Sequence, residues 1–109
     1  MHLKLMPIIT HSKITLIKNN INKKKFGFKM ILIYVPCKDE EEAVKISKRL
    51  LEKRLVACTN VHPIRSFYRW EGKIQDDREF VIIAKTSNKK YDDIKDEVKK
   101  IHSYDVPCI

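Results

Sequence analysis

At 109 residues, 43% of them hydrophobic, the chain has material for one small core and not for two. Its formal charge of +9 suggests a nucleic-acid partner until it is mapped: residues 1–29 hold seven lysines and no acid, leaving 16 Lys and Arg against all 14 Asp and Glu over residues 30–109, a net of +2. The basic excess belongs to the N-terminal stretch, so a phosphate-binding surface on the domain, and with it a nucleic-acid partner, is excluded from the expectations.

Residues 1–29 come first as a basic extension. Their most apolar part, "LKLMPIITHSKITLI", is interrupted by Lys4, Pro7, His11 and Lys13, too polar to span a bilayer and without a small-residue cleavage site, so no membrane or targeting segment is expected. "KNNINKKKFGFKM" follows without a usable amphipathic period. The extension is therefore expected to be disordered or appended rather than part of the fold, and its deletion to leave fold and oligomeric state unchanged.

From Met30 every segment is patterned, which sets the domain at residues 30–109. "ILIYV" (31–35), stopped by Pro36, reads as a strand covered on both faces. Asp39 and Glu42 have capping-box spacing, and the stripe Ala43, Ile46, Leu50 beside Val44, Ser47, Leu51 predicts a helix running to about Leu55. "VACTNV" predicts a strand broken by His62-Pro63, after which "SFYRWEGKI" resumes extended, with Tyr68 and Trp70 on one face and Phe67 and Arg69 on the other. "KIQDD" is read as the hairpin connection to "EFVIIAKT" (79–86), whose apolar run suits a central strand. Tyr91, Ile94, Val98 and Ile101 mark a second helix, and "YDVPCI" opens a further strand. The order β-α-β-β-α-β predicts an α+β, ferredoxin-like domain: an antiparallel sheet with two helices on one face, its last strand truncated.

No Gly-rich phosphate loop can exist in a domain whose one glycine is Gly72. Cys37, Cys58 and Cys108 are odd in number and form no C-x-x-C, which argues against a disulfide framework or zinc knuckle and for a reducing compartment. Cys58, in an apolar run, reads as a packing residue. Cys37 follows Pro36 at a strand end, where ligands are commoner, and His102 closes the second helix, where it could ligate a metal or cap the helix carbonyls. Tyr68 and Trp70 read as packing or a subunit interface.

"RLVACTNV", "FYRWEGKI", "IIAKT" and "HSYDVPCI", in this order and spacing from Met30 to Ile109, resemble the motifs of the CutA divalent-cation tolerance family. The resemblance implies a non-enzymatic, cytoplasmic homotrimer of ferredoxin-like subunits that responds to or binds copper or another divalent cation. His102, Tyr104, Asp105 and Pro107 fall on the family's H-P-Y-[ED]-x-P motif, with Ser103 in place of its first proline. The metal ligands it implies are His102 and a cysteine near the end of the first domain strand, about two positions before Cys37. Cys58, Asn60, Tyr68, Trp70, Gly72, Lys73 and Lys85 fall on positions that line the subunit cleft or hold the fold, and Tyr104 and Asp105 join Tyr68, Trp70 and Lys73 as cleft or interface residues. Similar chains continue past "VPCI" through a complete strand and a final helix, so a chain stopping at Ile109 is expected to leave the edge of "ILIYV" unpaired and to aggregate. Two other readings share the fold: a trimeric small-molecule sensor or docking regulator resembling those of nitrogen signalling, and an acylphosphatase, against which the lack of a Gly-rich loop with an arginine counts.

Overall fold

The computed structural model describes residues 14–17 and 29–109. Four strands, β1 (Ile14–Ile17), β2 (Met30–Cys37), β3 (Cys58–Trp70) and β4 (Lys73–Ser87), form one antiparallel sheet in the order β1-β2-β4-β3. Two helices, α1 (Glu40–Glu52) and α2 (Tyr91–Ile101), cover one face, and a 3-10 turn (Asn88–Lys90) leads into α2. Among the described residues no helix is long and apolar enough to cross a membrane.

Alternation builds the core. Ile31, Ile33, Val35 and Cys37 are fully buried along β2, and Val35 and Ile33 lie opposite Ile82 and Ala84 of β4. Ala43, Ile46 and Leu50 of α1 and Ile94 and Val98 of α2 close over that face, all without exposed surface. Burial on this scale contributes about 1.5–3 kcal/mol for each large aliphatic side chain. β4 lies between β2 and β3, the central position its apolar run predicts.

Four local expectations are corrected. Helix α1 stops at Glu52 instead of reaching Leu55, because Arg54 adopts a left-handed φ of 57° and the Leu55 N–H closes back on the Leu50 carbonyl at 2.9 Å. His62-Pro63 does not break β3, since β3 is an edge strand where the missing proline N–H can face water. The hairpin turn is Glu71-Gly72, both at positive φ (50° and 75°), as a two-residue primed turn requires, so "KIQDD" belongs to β4. "YDVPCI" forms no strand: residues 103–106 bend and 107–109 are irregular, though Tyr104, Cys108 and Ile109 are buried at 7%, 5% and 2% exposure.

The outer edge of β2 is where the expectation for the N-terminal extension meets the structure. Ile14–Ile17 lie there as β1, with Ile14 opposite Ile33 and Ile17 opposite Met30. A strand edge presents unmet backbone donors and acceptors, and the four β-prone residues Ile14-Thr15-Leu16-Ile17, three of them apolar, supply a partner. The rest of residues 1–28 lies outside the described residues.

Candidate metal centre

The site forms where three elements end together. β2 runs out at Cys37, α1 begins three residues later at Glu40, and α2 ends at Ile101 with His102 as its C-cap. Asp39 is the α1 N-cap, its Oδ1 accepting the Glu42 N–H at 2.8 Å, a contact that typically contributes about 1 kcal/mol. That cap fixes Glu42 in the first turn and aims its carboxylate back over the strand end. Its Oε1 accepts the Lys38 N–H at 3.0 Å and its Oε2 the Ser103 N–H at 2.7 Å, so one carboxylate bridges the start of α1 and the chain leaving α2.

His102 is held from both sides of its ring. Nδ1 accepts the Tyr104 N–H at 3.0 Å, and Nε2 lies 2.8 Å from the Pro36 carbonyl oxygen, an acceptor. Only the neutral tautomer with the proton on Nε2 satisfies both contacts. Burial, the largest influence, depresses the His102 pKa below its ordinary value, against the raising effects of the Pro36 carbonyl and the Glu42 and Glu79 carboxylates. The Cys37 thiol points to the Val35 carbonyl at 3.6 Å, and burial, reinforced by the charges of Glu42, Glu79 and Asp39, drives its pKa far up. Burial also pushes the Glu42 pKa up, but the Lys38 and Ser103 hydrogen bonds and His102 outweigh it and hold the carboxyl below its usual range.

Cys37, Glu42 and His102 thus converge, one donor atom from each lying within 4.8 Å of the others, and all three residues are buried. The sequence names Cys37 and His102 and misses Glu42. The signal for Glu42 was its third position in a helix that starts directly after the strand carrying Cys37, which aims a long carboxylate back toward that strand. Thiolate, imidazole and carboxylate form a donor set that suits copper or zinc, and the trio fits such an ion.

The remaining site residues divide. Tyr104 stacks at a tilt on His102, ring centroids 4.7 Å apart, and donates its hydroxyl to Glu79 Oε2 at 2.6 Å. Tyr68 donates to Asp77 on the same sheet face as Glu79, with burial raising its pKa ahead of the Asp77 hydrogen bond. Trp70 and Lys73 are the last pair before the hairpin turn, and Asp105 is exposed. Cys58 starts β3, partly buried opposite Lys85.

Comparison with known proteins agrees with this architecture. The family model described as CutA1 divalent ion tolerance protein matches residues 31–109. The chain belongs to the CutA1 divalent ion tolerance family. It is 53% identical over 77 residues to the divalent-cation tolerance protein CutA of Archaeoglobus fulgidus, covering 71% of this chain and 76% of that one. Over 80 residues it is 45% identical to the Pyrococcus horikoshii protein of the same name, covering 73% and 78%. A solved structure of the Archaeoglobus fulgidus protein, described as periplasmic, superposes with a TM-score of 0.71 at 51% identity, covering 72% of this chain and 78% of that one. The family thereby carries the α+β, ferredoxin-like plan as well as the motifs.

Proposed function

We propose that the chain is a divalent-cation tolerance protein that acts by binding a copper-like cation at Cys37, Glu42 and His102 rather than by catalysis. The observation that carries this reading is the convergence of three chemically different buried donors within 4.8 Å. Sulfur and imidazole nitrogen favour a soft or borderline cation, while Glu42 supplies negative charge in a site where bare ions are costly. A coordinating thiol must first lose its proton, and burial opposes that loss at Cys37, so affinity is expected to rise with pH.

Calorimetric titration of the purified chain with copper(II) and with zinc tests the reading. One ion per chain is expected, with binding lost in Cys37→Ser and His102→Ala and retained in Cys58→Ala; retention in His102→Ala would refute the site. The protein is further proposed to work as a cytoplasmic homotrimer. Free thiols at Cys37, Cys58 and Cys108 support a reducing location. Support for assembly comes from the β3–β4 hairpin, where Phe67 and Ile74 are 61% and 70% exposed, and sedimentation analysis tests it.

The small-molecule sensor is the second reading, favoured by a cleft of about 310 Å³ lined by Met30, Leu55, Val56 and Ala57 with Arg54 and Lys90 beside them. Titration with nucleotides and 2-oxoglutarate separates it from the first, since a binder of either would not depend on His102.

A further inference from the structure

We infer that ligation by His102 and closure of the segment Tyr104–Ile109 exclude one another, so that filling the metal centre opens this part of the fold; the inference rests on the metal reading proposed above. A neutral imidazole has one nitrogen lone pair. The Pro36 carbonyl can accept but not donate, so the ring proton is on Nε2 and the lone pair on Nδ1, where the Tyr104 N–H already uses it. Both nitrogens are committed.

Either mode of ligation breaks the same bond. Through Nδ1, the lone pair passes from the Tyr104 N–H to the cation. Through Nε2, that nitrogen must give up its proton; if the proton moves to Nδ1, two donors face each other at Tyr104 and the Pro36 carbonyl loses its partner. Glu42 imposes no such choice, because a carboxylate oxygen has more than one lone pair and Oε2 can keep the Ser103 N–H at 2.7 Å while its other positions serve a cation. The bond at Ser103 can stay and the one at Tyr104 cannot, which places the hinge between these two residues.

What hangs on the hinge gives the inference its consequence. Tyr104 is 7% exposed, so its freed N–H must turn to find a new acceptor or water. Beyond it Cys108 and Ile109 are 5% and 2% exposed, and Ile109 belongs to the core cluster with Ile33, Ile46 and Val98. Opposing the opening, the Tyr104 hydroxyl is anchored on Glu79 at 2.6 Å. Closure and ligation are therefore linked equilibria: whatever weakens closure strengthens ligation.

Two measurements on the full chain, with zinc as a redox-inert probe, test this. Amide hydrogen exchange of a peptide spanning residues 103–109 is expected to accelerate about tenfold or more at one equivalent of zinc, while exchange in β4 stays unchanged. Tyr104→Phe keeps the backbone N–H but loses the anchor on Glu79, and it is expected to bind zinc about fivefold more tightly than the parent. His102-dependent binding with unaltered exchange at 103–109, or with the same affinity in Tyr104→Phe, would overturn the inference and leave the metal reading standing. Zinc binding that is absent, or indifferent to His102→Ala, would overturn both.

Discussion

The two halves of β2's outer border are covered by different means. Its first half, Met30–Ile33, is paired backbone to backbone with β1. Its second half ends against the chain leaving α2, tied by the His102 ring to the Pro36 carbonyl and by Glu42 to both Lys38 and Ser103. Backbone pairing asks little of sequence, since almost any extended apolar stretch can supply it. The latch of ring, carboxylate and bent chain depends on particular side chains at particular atoms. The generic half can be exchanged or lost at modest cost, while the specific half concentrates both stability and chemistry.

The largest expected effect comes from breaking the specific half. Glu42→Ala strands two backbone donors, the Lys38 and Ser103 N–H groups, and each such loss costs about 1–3 kcal/mol when water cannot replace the partner. Urea unfolding of the apo chain should therefore show a loss of about 2–5 kcal/mol, a large share of a domain's usual margin of about 5–15 kcal/mol. A change below about 1 kcal/mol would mean that water reaches both donors and that the latch holds little.

Removing residues 1–17 breaks the generic half. The sequence alone leads one to expect no effect, but the strand Ile14–Ile17 makes a loss of about 1–3 kcal/mol the expected outcome, on the scale of a few exposed ladder hydrogen bonds. The same deletion uncovers the edge of β2, so concentration-dependent light scattering should rise with it. Unchanged stability and unchanged scattering together would show that β1 contributes nothing to the domain.

How much of this contrast can be read in the sequence follows from the kind of contact on each side. The stripes Ala43-Ile46-Leu50 and Ile94-Val98 and the run "EFVIIAKT" announce themselves because burial on one face imposes a period. β1 does not, because four residues are too few for a period and its partner edge lies elsewhere in the chain. "KIQDD" misleads for a related reason: Asp76 and Asp77 look like turn acids, but across the hairpin they meet Arg65 and Tyr68, contacts that only register reveals. His102 and Cys37 are found by residue type and motif. Glu42 is hidden behind its own capping role, since a helix-start glutamate is ordinary until the Ser103 backbone, 61 positions away, is seen to lean on it.

Acid distinguishes the two halves more gently. The folded pKa of His102 lies below its ordinary 6.5, chiefly through burial, so on acidification the unfolded chain takes the proton first. Its contribution to stability is full above about pH 6.5 and is lost as the pH falls below that toward the folded value. Glu42, depressed below 4.5, adds a second loss as the pH falls through its own folded value. The groups facing the ring, Cys37, Glu42, Glu79 and Tyr104, are the same on both arms of a comparison with His102→Ala, and the first stage of acid loss should vanish in that variant. If the variant and the parent lose stability in parallel below pH 6.5, the stage belongs to another group.

The smallest effect is expected on the β3–β4 arm, and it sharpens the contrast by position alone. Arg65 and Asp76 make two hydrogen bonds, at 2.9 and 2.7 Å, as short as the latch contacts of Glu42 and His102 at 2.7 to 3.0 Å, and the guanidinium also lies 5.2 Å from the Phe67 ring centroid. Both side chains are nevertheless open to water, at 57% and 44% exposure, so solvent screens the pair and replaces each partner when the other is removed. Asp76→Asn should leave the urea midpoint of the dilute chain within the scatter of the parent, whereas the contacts of Glu42, of similar length but made by a carboxylate whose residue is only 7% exposed, are expected to cost stability when lost. Should the arm pack between copies, the same pair would be dehydrated, and the variant would then weaken association while leaving the dilute protein untouched. Sedimentation across a hundredfold concentration range separates these outcomes, and a shift of the midpoint at the lowest concentration would contradict the claim that burial, rather than bond geometry, decides which polar contacts hold this fold together.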